Sequence, residues 1–134
     1  MGLILDTSLF VAAERSDVSF VELLGHDLRD ETVAISAITA SELLQGVHRG
    51  ANARLRARRE TIVERVLASV PIVPFDVVVA RTHARVWAEL AAKGKPLGAH
   101  DLLIAATALA TGGRVVTRDL RSFPKVPGLV VLQR

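Results

Sequence analysis

Four acidic residues stand where a parallel sheet would present them to a ligand. Asp6 ends the apolar run at residues 2–5, and Glu42 lies at the start of a helix predicted after the second strand. Asp101 opens an almost wholly apolar helix, and Asp119 follows another short apolar run. Ligands bind beyond the carboxyl ends of the strands in open α/β sheets. We therefore expect the four carboxylates to converge on one cleft.

Each acid also has an ordinary structural explanation. Asp6 could cap a helix, and Glu42 could complete a capping box with Thr39. Asp101 could interact favourably with a helix N-terminus, and Asp119 could form a turn. Their common location favours a functional role, because four carboxylates without cations among them repel one another. A hard divalent cation such as Mg²⁺ or Mn²⁺, which prefers oxygen ligands, would remove that repulsion.

An acidic metal site on a basic protein suggests hydrolysis of phosphodiesters. The metal would polarise the phosphoryl group and activate a bound water, and a spare carboxylate would accept the proton. The chain carries a net charge of +3, and six of its arginines lie between residues 49 and 65 (Arg49, Arg54, Arg56, Arg58, Arg59 and Arg65). Such a cluster can attract a polyanion, or it can be a solvated helix face interleaved with glutamates.

Strands and helices alternate around these acids. The pattern predicts strands at residues 2–5, 33–36, 71–74, 115–119 and 129–132, and helices at 9–14, 17–24, 39–49, 53–69, 76–93 and 98–110. The strands are short, β-branched and apolar on both faces, which is typical of a parallel sheet covered by helices. We predict a three-layer α/β/α sandwich with a short, mainly parallel central sheet.

Length and composition place limits on the class of protein. The 134 residues fit a single domain spanning 1–134, and half of them are hydrophobic. Cysteine is absent, which excludes disulfides and suits a reducing compartment. The apolar N-terminus is too short for a signal peptide, and no run approaches the roughly 18 residues of a membrane span. We expect a soluble cytoplasmic protein that has no membrane partner.

Four short motifs, in this order, resemble those of PIN domains. They are Leu5-Asp6-Thr7-Ser8, Ala40-Ser41-Glu42-Leu43 with Gly46, Gly98-Ala99-His100-Asp101 with Ile104-Ala105-Ala106, and Thr117-Arg118-Asp119 with Phe123. Each motif alone is weak, but four in order across a minimal domain are specific. Their spacing and the length of the chain are similar to the VapC-type toxins of bacterial toxin–antitoxin pairs.

The resemblance implies a PIN-like fold and a Mg²⁺- or Mn²⁺-dependent endoribonuclease, commonly dimeric and inhibited by a cognate antitoxin. By that similarity Asp6, Glu42, Asp101 and Asp119 are the catalytic acids. Asp6 and Asp101 match the positions most often given as metal ligands, and Asp119 would complete the metal site directly or through water. Glu42 would position or deprotonate the attacking water. The products would carry 5′-phosphate and 3′-hydroxyl ends.

Side chains beside the acids are candidates for substrate binding. Thr7 and Thr117 could contact the substrate, orient a carboxylate or a water, or cap the backbone. Arg118 stands where many PIN domains have Asn, and it could hold a phosphate or pair with Asp119. His100 is not expected in catalysis, because its neighbour Asp101 should point about 100° away on the helix.

Rival functions stay open on the sequence. An aspartate-nucleophile phosphatase could use Asp6, but no cationic partner for a phospho-aspartate is evident. A catalytically idle module that binds RNA or a partner is the other rival, although a polyanion binder gains nothing from four acids in its cleft. We expect partner and dimer contacts at the exposed helix ends between Thr39 and Ser69. Trp87 is expected in the core or at a subunit interface.

Overall fold

The computed structural model describes residues 2–134, which form five strands, six α-helices and two short 3₁₀ turns. In chain order the elements are β1 (Leu3–Leu5), α1 (Thr7–Ser16), α2 (Phe20–Leu24), a 3₁₀ turn (His26–Leu28), β2 (Val33–Ser36), α3 (Ala37–His48), α4 (Ala53–Ser69), β3 (Ile72–Val73), α5 (Val77–Ala92), α6 (Ala99–Thr111), β4 (Arg114–Thr117), a second 3₁₀ turn (Phe123–Lys125) and β5 (Val131–Gln133).

One parallel sheet contains all five strands, in the order β3-β2-β1-β4-β5. The proline-flanked β3 lies at an edge, as its sequence predicts. Strand β1 is central, and Leu5 is in register with Val116 of β4. Strand order reverses at β1, and such a switch point opens a crevice at the carboxyl ends of the strands. Asp6 is the first residue beyond β1, so it lies in that crevice.

The side chains of β1 pack alternately into two separate hydrophobic cores. Leu3 and Leu5 pack with apolar residues of α1 to α4, whereas Ile4 packs with residues of α5 and α6. Strand β4 alternates in the same way, with Val116 in the first core and Val115 in the second. Helices therefore cover both faces of the sheet, and the predicted three-layer α/β/α sandwich is confirmed.

Helix α6 is the buried element that the sequence predicts. Its residues Ile104, Ala105, Ala106 and Ala108 are fully buried against the sheet, and Gly112 ends the helix in the left-handed conformation with φ of 68°. Because its body is fixed in the core, its first turn is held at a defined place beside β1. That turn carries Asp101.

The predicted capping box at Thr39 and Glu42 is wrong. Helix α3 begins two residues earlier, at Ala37, and Ser36 is its N-cap. The Thr39 backbone N–H donates to Ser36 Oγ at 3.0 Å, and both side chains are fully buried. Ser36 is both the last residue of β2 and the N-cap of α3. Thr39 therefore already lies in the first turn of the helix and cannot be its N-cap. Glu42 therefore lies in the second turn, where its carboxylate is free for other contacts.

Other element boundaries differ from the sequence prediction by a few residues. Helix α1 begins at Thr7, and Asp17 ends it in the left-handed conformation with φ of 53°. Asp17 therefore does not open the next helix, whose N-cap is Ser19. Strand β4 ends at Thr117, so Asp119 lies in the following loop, and the last strand is Val131–Gln133. Helix ends and strand ends are where local pattern is least informative.

Half of the arginine cluster is used within the fold. Arg56 donates to the Gly50 carbonyl at 3.0 Å, and Arg58 lies 3.6 Å from Asp17. Arg59 contacts Glu14 at 3.0 Å and the Gly46 carbonyl at 2.9 Å. These contacts tie α4 to α1 and α3, which favours the structural explanation of the cluster over a dedicated polyanion surface.

Trp87 is not in the core, contrary to one of its two predicted places. It lies on α5 with 60% of its surface exposed, while Val86 and Leu90 of the same helix are buried.

No helix in residues 2–134 is both long and apolar enough to cross a membrane.

Replacing Ser36 by Ala should lower the free energy of unfolding by about 1 kcal/mol, because the start of α3 loses its N-cap acceptor. Urea unfolding of both variants would measure this, with Ser41→Ala as the control on an exposed position of the same helix. Equal stability of the two variants would contradict the assignment of Ser36 as the cap.

Candidate active site

Asp6 is held at the carboxyl end of β1 by two hydroxyl groups. It occupies the N-cap position of α1, yet its side chain accepts no capping hydrogen bond. Ser8 Oγ donates to Asp6 Oδ2 at 2.7 Å, and Thr117 Oγ1 donates to the same oxygen at 2.9 Å. Oδ1 has no side-chain donor among residues 2–134. Both hydroxyl groups therefore orient the carboxylate through Oδ2.

Burial and a neighbouring charge act together on Asp6. The residue is 6% exposed, and burial raises the pKa of its carboxyl group above the usual value. The negative charge of Asp101 raises that pKa further, whereas the hydrogen bonds from Ser8 and Thr117 lower it without cancelling the rise. A cation between the two carboxylates would reverse this effect and favour the ionised form of Asp6.

Thr117 lies behind the carboxylate and not on its exposed side. Its side chain is fully buried at the end of β4, and its Oγ1 also accepts a hydrogen bond from the Asp119 backbone N–H at 3.0 Å. Of the roles considered for Thr117, orienting a carboxylate is the one that its position supports. Substrate contact by Thr117 stays a prediction.

Glu42 is held by two side chains from other helices. Thr7 Oγ1 donates to Glu42 Oε1 at 2.7 Å, and His100 Nδ1 lies 3.3 Å from Oε2. Thr7 is the first residue of α1, and its hydroxyl serves Glu42 and does not cap the helix. The side chain of His100 points towards Glu42 and away from its neighbour Asp101, and the second direction is the one that the sequence predicts. Sequence reasoning missed this contact.

Asp119 pairs with Arg121 and not with Arg118. Arg121 Nε lies 2.9 Å from each carboxylate oxygen of Asp119, and Arg121 Nη2 lies 2.6 Å from Oδ2. These hydrogen bonds, with that from the Arg121 backbone N–H, lower the pKa of Asp119 to about 2. Arg118 uses its backbone N–H to donate to Ser8 Oγ at 3.0 Å, and its side chain is exposed.

Asp101 connects the two halves of the site electrostatically. Its charge raises the pKa of Asp6 and also that of the Arg121 guanidinium. All four predicted acids therefore lie at one edge of the sheet, but they differ in whether other side chains hold their carboxylates. Glu42 and Asp119 are each held by partners, while Asp6 and Asp101 form a pair of carboxylates with no ion-pair partner among residues 2–134.

Two of the four acids are free of the partners that hold the others, which bears on how a divalent cation could be bound. Residues 2–134 contain no group of three or more His, Cys, Asp or Glu side chains arranged to hold a metal. Arg121 holds Asp119, and Thr7 holds Glu42. Mg²⁺ keeps several waters and is commonly bound by one or two carboxylates with substrate phosphates. Asp6 and Asp101 fit that smaller requirement.

Ser8 and Arg121 are the site residues that sequence reasoning missed. Ser8 lies in the Leu5-Asp6-Thr7-Ser8 motif, and a hydroxyl two residues after a buried acid was the signal available for it. Arg121 had no comparable signal, because Arg118 lies even nearer to Asp119 in sequence. A separate cavity of about 250 Å³ opens at the opposite edge of the sheet, and none of the four acids lines it.

The Asp119 carboxyl should titrate with a pKa near 2 in the native chain, and Arg121→Gln should raise that pKa towards the ordinary value of about 3.9 because the guanidinium is lost. Carboxyl ¹³C NMR titration measures both. Since the pKa is depressed in the folded state, the stabilisation from this pair is present above about pH 4 and is lost as pH falls through about 2. Arg118→Gln is the matched control, and an equal rise in that variant would assign the pairing to the wrong arginine.

The family model and the sequence relatives that this chain matches point to the same family. Residues 3–129 match the PIN domain family model. The chain is 36% identical to Ribonuclease VapC1 of Rickettsia felis over 132 residues, which cover 98% of this chain and 96% of that protein. It is 33% identical to the tRNA(fMet)-specific endonuclease VapC of Salmonella typhimurium over 103 residues, which cover 77% of this chain and 76% of that protein.

Solved structures agree with the sequence relatives. VapBC2 from Rickettsia felis bound to a promoter DNA fragment has a chain that superposes with a TM-score of 0.87 at 26% identity, covering 100% of this chain and 99% of that one. DNA-bound VapBC from Salmonella typhimurium gives a TM-score of 0.87 at 28% identity, covering 99% and 98%. The resemblance drawn from four short motifs is confirmed: the chain belongs to the PIN-domain family and, within it, to the VapC ribonucleases.

Proposed function

We propose that this chain is a Mg²⁺- or Mn²⁺-dependent endoribonuclease, the toxin of a toxin–antitoxin pair, and that residues 1–134 act as one domain. The observation that carries the proposal is the pair formed by Asp6 and Asp101 at the carboxyl end of the central strand. Burial and the charge of Asp101 both raise the pKa of Asp6, so the native arrangement stores repulsion that a cation would relieve.

Asp6 and Asp101 are the residues proposed to hold the cation. A divalent metal bound there would polarise the scissile phosphoryl group and lower the pKa of the attacking water. Asp119 is proposed as a further ligand, directly or through water, once its carboxylate leaves Arg121. Ser8 and Thr117 fix the orientation of Asp6, so that little reorganisation is needed when the site is filled.

Glu42 is proposed as the residue that positions or deprotonates the attacking water. Its two carboxylate oxygens are held by different partners, Thr7 at 2.7 Å and His100 at 3.3 Å. Thr7 fixes the direction of the carboxylate at one oxygen, and His100 contacts the other. In-line attack on the phosphorus would leave a 5′-phosphate and a 3′-hydroxyl.

The proposed substrate is RNA and the proposed protein partner is a cognate antitoxin. Relatives named ribonucleases and a tRNA(fMet)-specific endonuclease support RNA as the substrate class. The similar solved structure of VapBC-5 from Mycobacterium tuberculosis, a member of the VapBC family of toxin–antitoxin systems, supports an antitoxin partner. Since RNA is the substrate, we assign the proposed activity to the cytoplasm.

The two rival functions have less support. A phosphatase using Asp6 as nucleophile needs a cationic side chain beside the phospho-aspartate, and none of the ion pairs within residues 2–134 involves Asp6. An idle binding module gives no reason for two unpaired acids, one of them 6% exposed, at the carboxyl end of the central strand. A metal-dependent hydrolase accounts for both acids.

Cleavage of a mixed cellular RNA pool should require both divalent metal and Asp101. We expect discrete products when Mg²⁺ or Mn²⁺ is added after EDTA, and a loss of at least about 100-fold in rate for Asp101→Asn, because a metal ligand is removed. Sequencing of the product ends gives the cleaved RNA. Asp30→Asn is the control, since Asp30 is exposed and forms no ion pair among residues 2–134.

The companion variant Asp6→Asn should also abolish cleavage while the melting temperature does not fall. The amide oxygen still accepts from Ser8 and Thr117, and the repulsion with Asp101 disappears. Undiminished cleavage in both variants would reject this site, and no cleavage by the folded native chain with metal present would reject the nuclease.

A homodimer is the proposed oligomeric state, through helix α5. Val77, Ala80, Ala84, Trp87 and Ala91 recur at the three- and four-residue spacing of a helix–helix seam. Val77 is 65% exposed and Trp87 is 60% exposed. A continuous apolar strip of this kind favours α5 as the dimer contact, in place of the helix ends between Thr39 and Ser69.

Trp87→Glu should convert the proposed dimer to a monomer, because a charge would be buried at the centre of the strip. Light scattering coupled to size exclusion measures the mass. Val78→Glu is the matched control, since Val78 is 59% exposed on another side of the same helix. A native monomer, or a dimer that survives Trp87→Glu, would contradict the assignment.

A further inference from the structure

A groove runs along α1 beside the acidic site. It has a volume of about 410 Å³ and is lined by Ser8, Val11, Ala12, Arg15, Ser16 and Arg118. The five residues from α1 recur at helical spacing, so they form one face of the helix. Arg118 forms the facing wall, immediately after β4.

The groove and the acidic site share a side chain. Ser8 lines the groove, and its hydroxyl donates to Asp6 Oδ2 at 2.7 Å. The same oxygen of Ser8 accepts the Arg118 backbone N–H at 3.0 Å. This hydrogen-bond chain fixes the wall of the groove relative to the Asp6 carboxylate. A strand whose scissile phosphate lies at Asp6 could therefore extend over this face of α1.

Two arginines in the groove have no acidic partner. Arg15 and Arg118 are exposed, and neither forms an ion pair with any residue in the described chain, 2–134. The nearest acid in sequence to Arg15 is Glu14, which Arg59 contacts at 3.0 Å. Arg121, which follows the same strand, is instead held by Asp119 at 2.6 Å. The groove thus presents two guanidinium groups whose charges are not neutralised locally.

We propose that this groove is a subsite for the RNA strand, in which Arg15 and Arg118 each bind a phosphate that flanks the scissile bond. Arginine binds phosphate through paired hydrogen bonds, and its charge complements the RNA backbone. The other lining residues are small or polar apart from Val11, which is 43% exposed. Such a lining lacks the large apolar anchors of a protein interface. The inference rests on the proposed nuclease function.

The test measures binding separately from cleavage. The probe is a fluorescein-labelled single-stranded RNA of about 12 nucleotides, titrated with the full chain carrying Asp101→Asn so that it stays intact. Arg15→Gln and Arg118→Gln should each weaken binding roughly fivefold at about 0.1 M salt and reduce the salt slope by about 0.7, the value for one phosphate contact on a single strand. Arg15→Lys should keep most of the affinity.

Arg65→Gln is the matched control, because Arg65 is exposed on α4 and forms no ion pair among residues 2–134. An affinity and salt slope for Arg15→Gln equal to those of the control would overturn the subsite. If the native chain still cleaves RNA in that case, the proposed function stands and only the groove is wrong. If the native chain neither binds nor cleaves RNA, the proposed function fails and the subsite fails with it. If Arg15→Gln loses all binding and also has a lowered melting temperature, the loss could come from unfolding. The variant Ser16→Glu then separates the two causes, because it should weaken RNA binding through charge repulsion alone.

Discussion

The buried hydrogen bond between Thr117 and Asp6 is the interaction on which the site depends. It joins the ends of the two central strands, and the register of Leu5 with Val116 places the two residues side by side. Asp6 is 6% exposed, so its charge is costly unless hydroxyl groups and a ligand compensate for it. The β1–β4 pairing, the start of α1 at Thr7 and the position of Ser8 all serve to hold this one carboxylate.

The four acids at one edge of the sheet are of two kinds: two are held by other side chains, and two have no ion-pair partner in the described part of the chain. Arg121 neutralises Asp119, and Thr7 and His100 hold Glu42. Asp6 and Asp101 have no ion-pair partner among residues 2–134, and the charge of Asp101 raises the pKa of Asp6. Residues 2–134 contain no group of three or more side chains arranged to hold a metal, although four acids are present.

Local sequence predicted best where one pattern had one structural solution. The apolar helix from Ala99 to Thr111 and helix α4 at Ala53–Ser69 follow from periodicity and length, and both are confirmed. The capping box at Thr39 failed because Ser36 provides a cap at the end of the strand itself. Trp87 failed as a core residue because neighbouring Val86 and Leu90 already fill the buried face of α5.

The sequence by itself determined the fold class and the family, and it predicted the four acids, since these depend on residue types and their order along the chain. Only the tertiary structure decided which side chains hold those acids. Thr117 reaches Asp6 across 111 residues, His100 reaches Glu42 across 58, and Thr7 reaches Glu42 across 35. Hydrogen bonds over such separations depend on strand register and helix rotation, which local pattern does not encode. The choice of Arg121 over Arg118 depends on the path of the loop after β4, for the same reason.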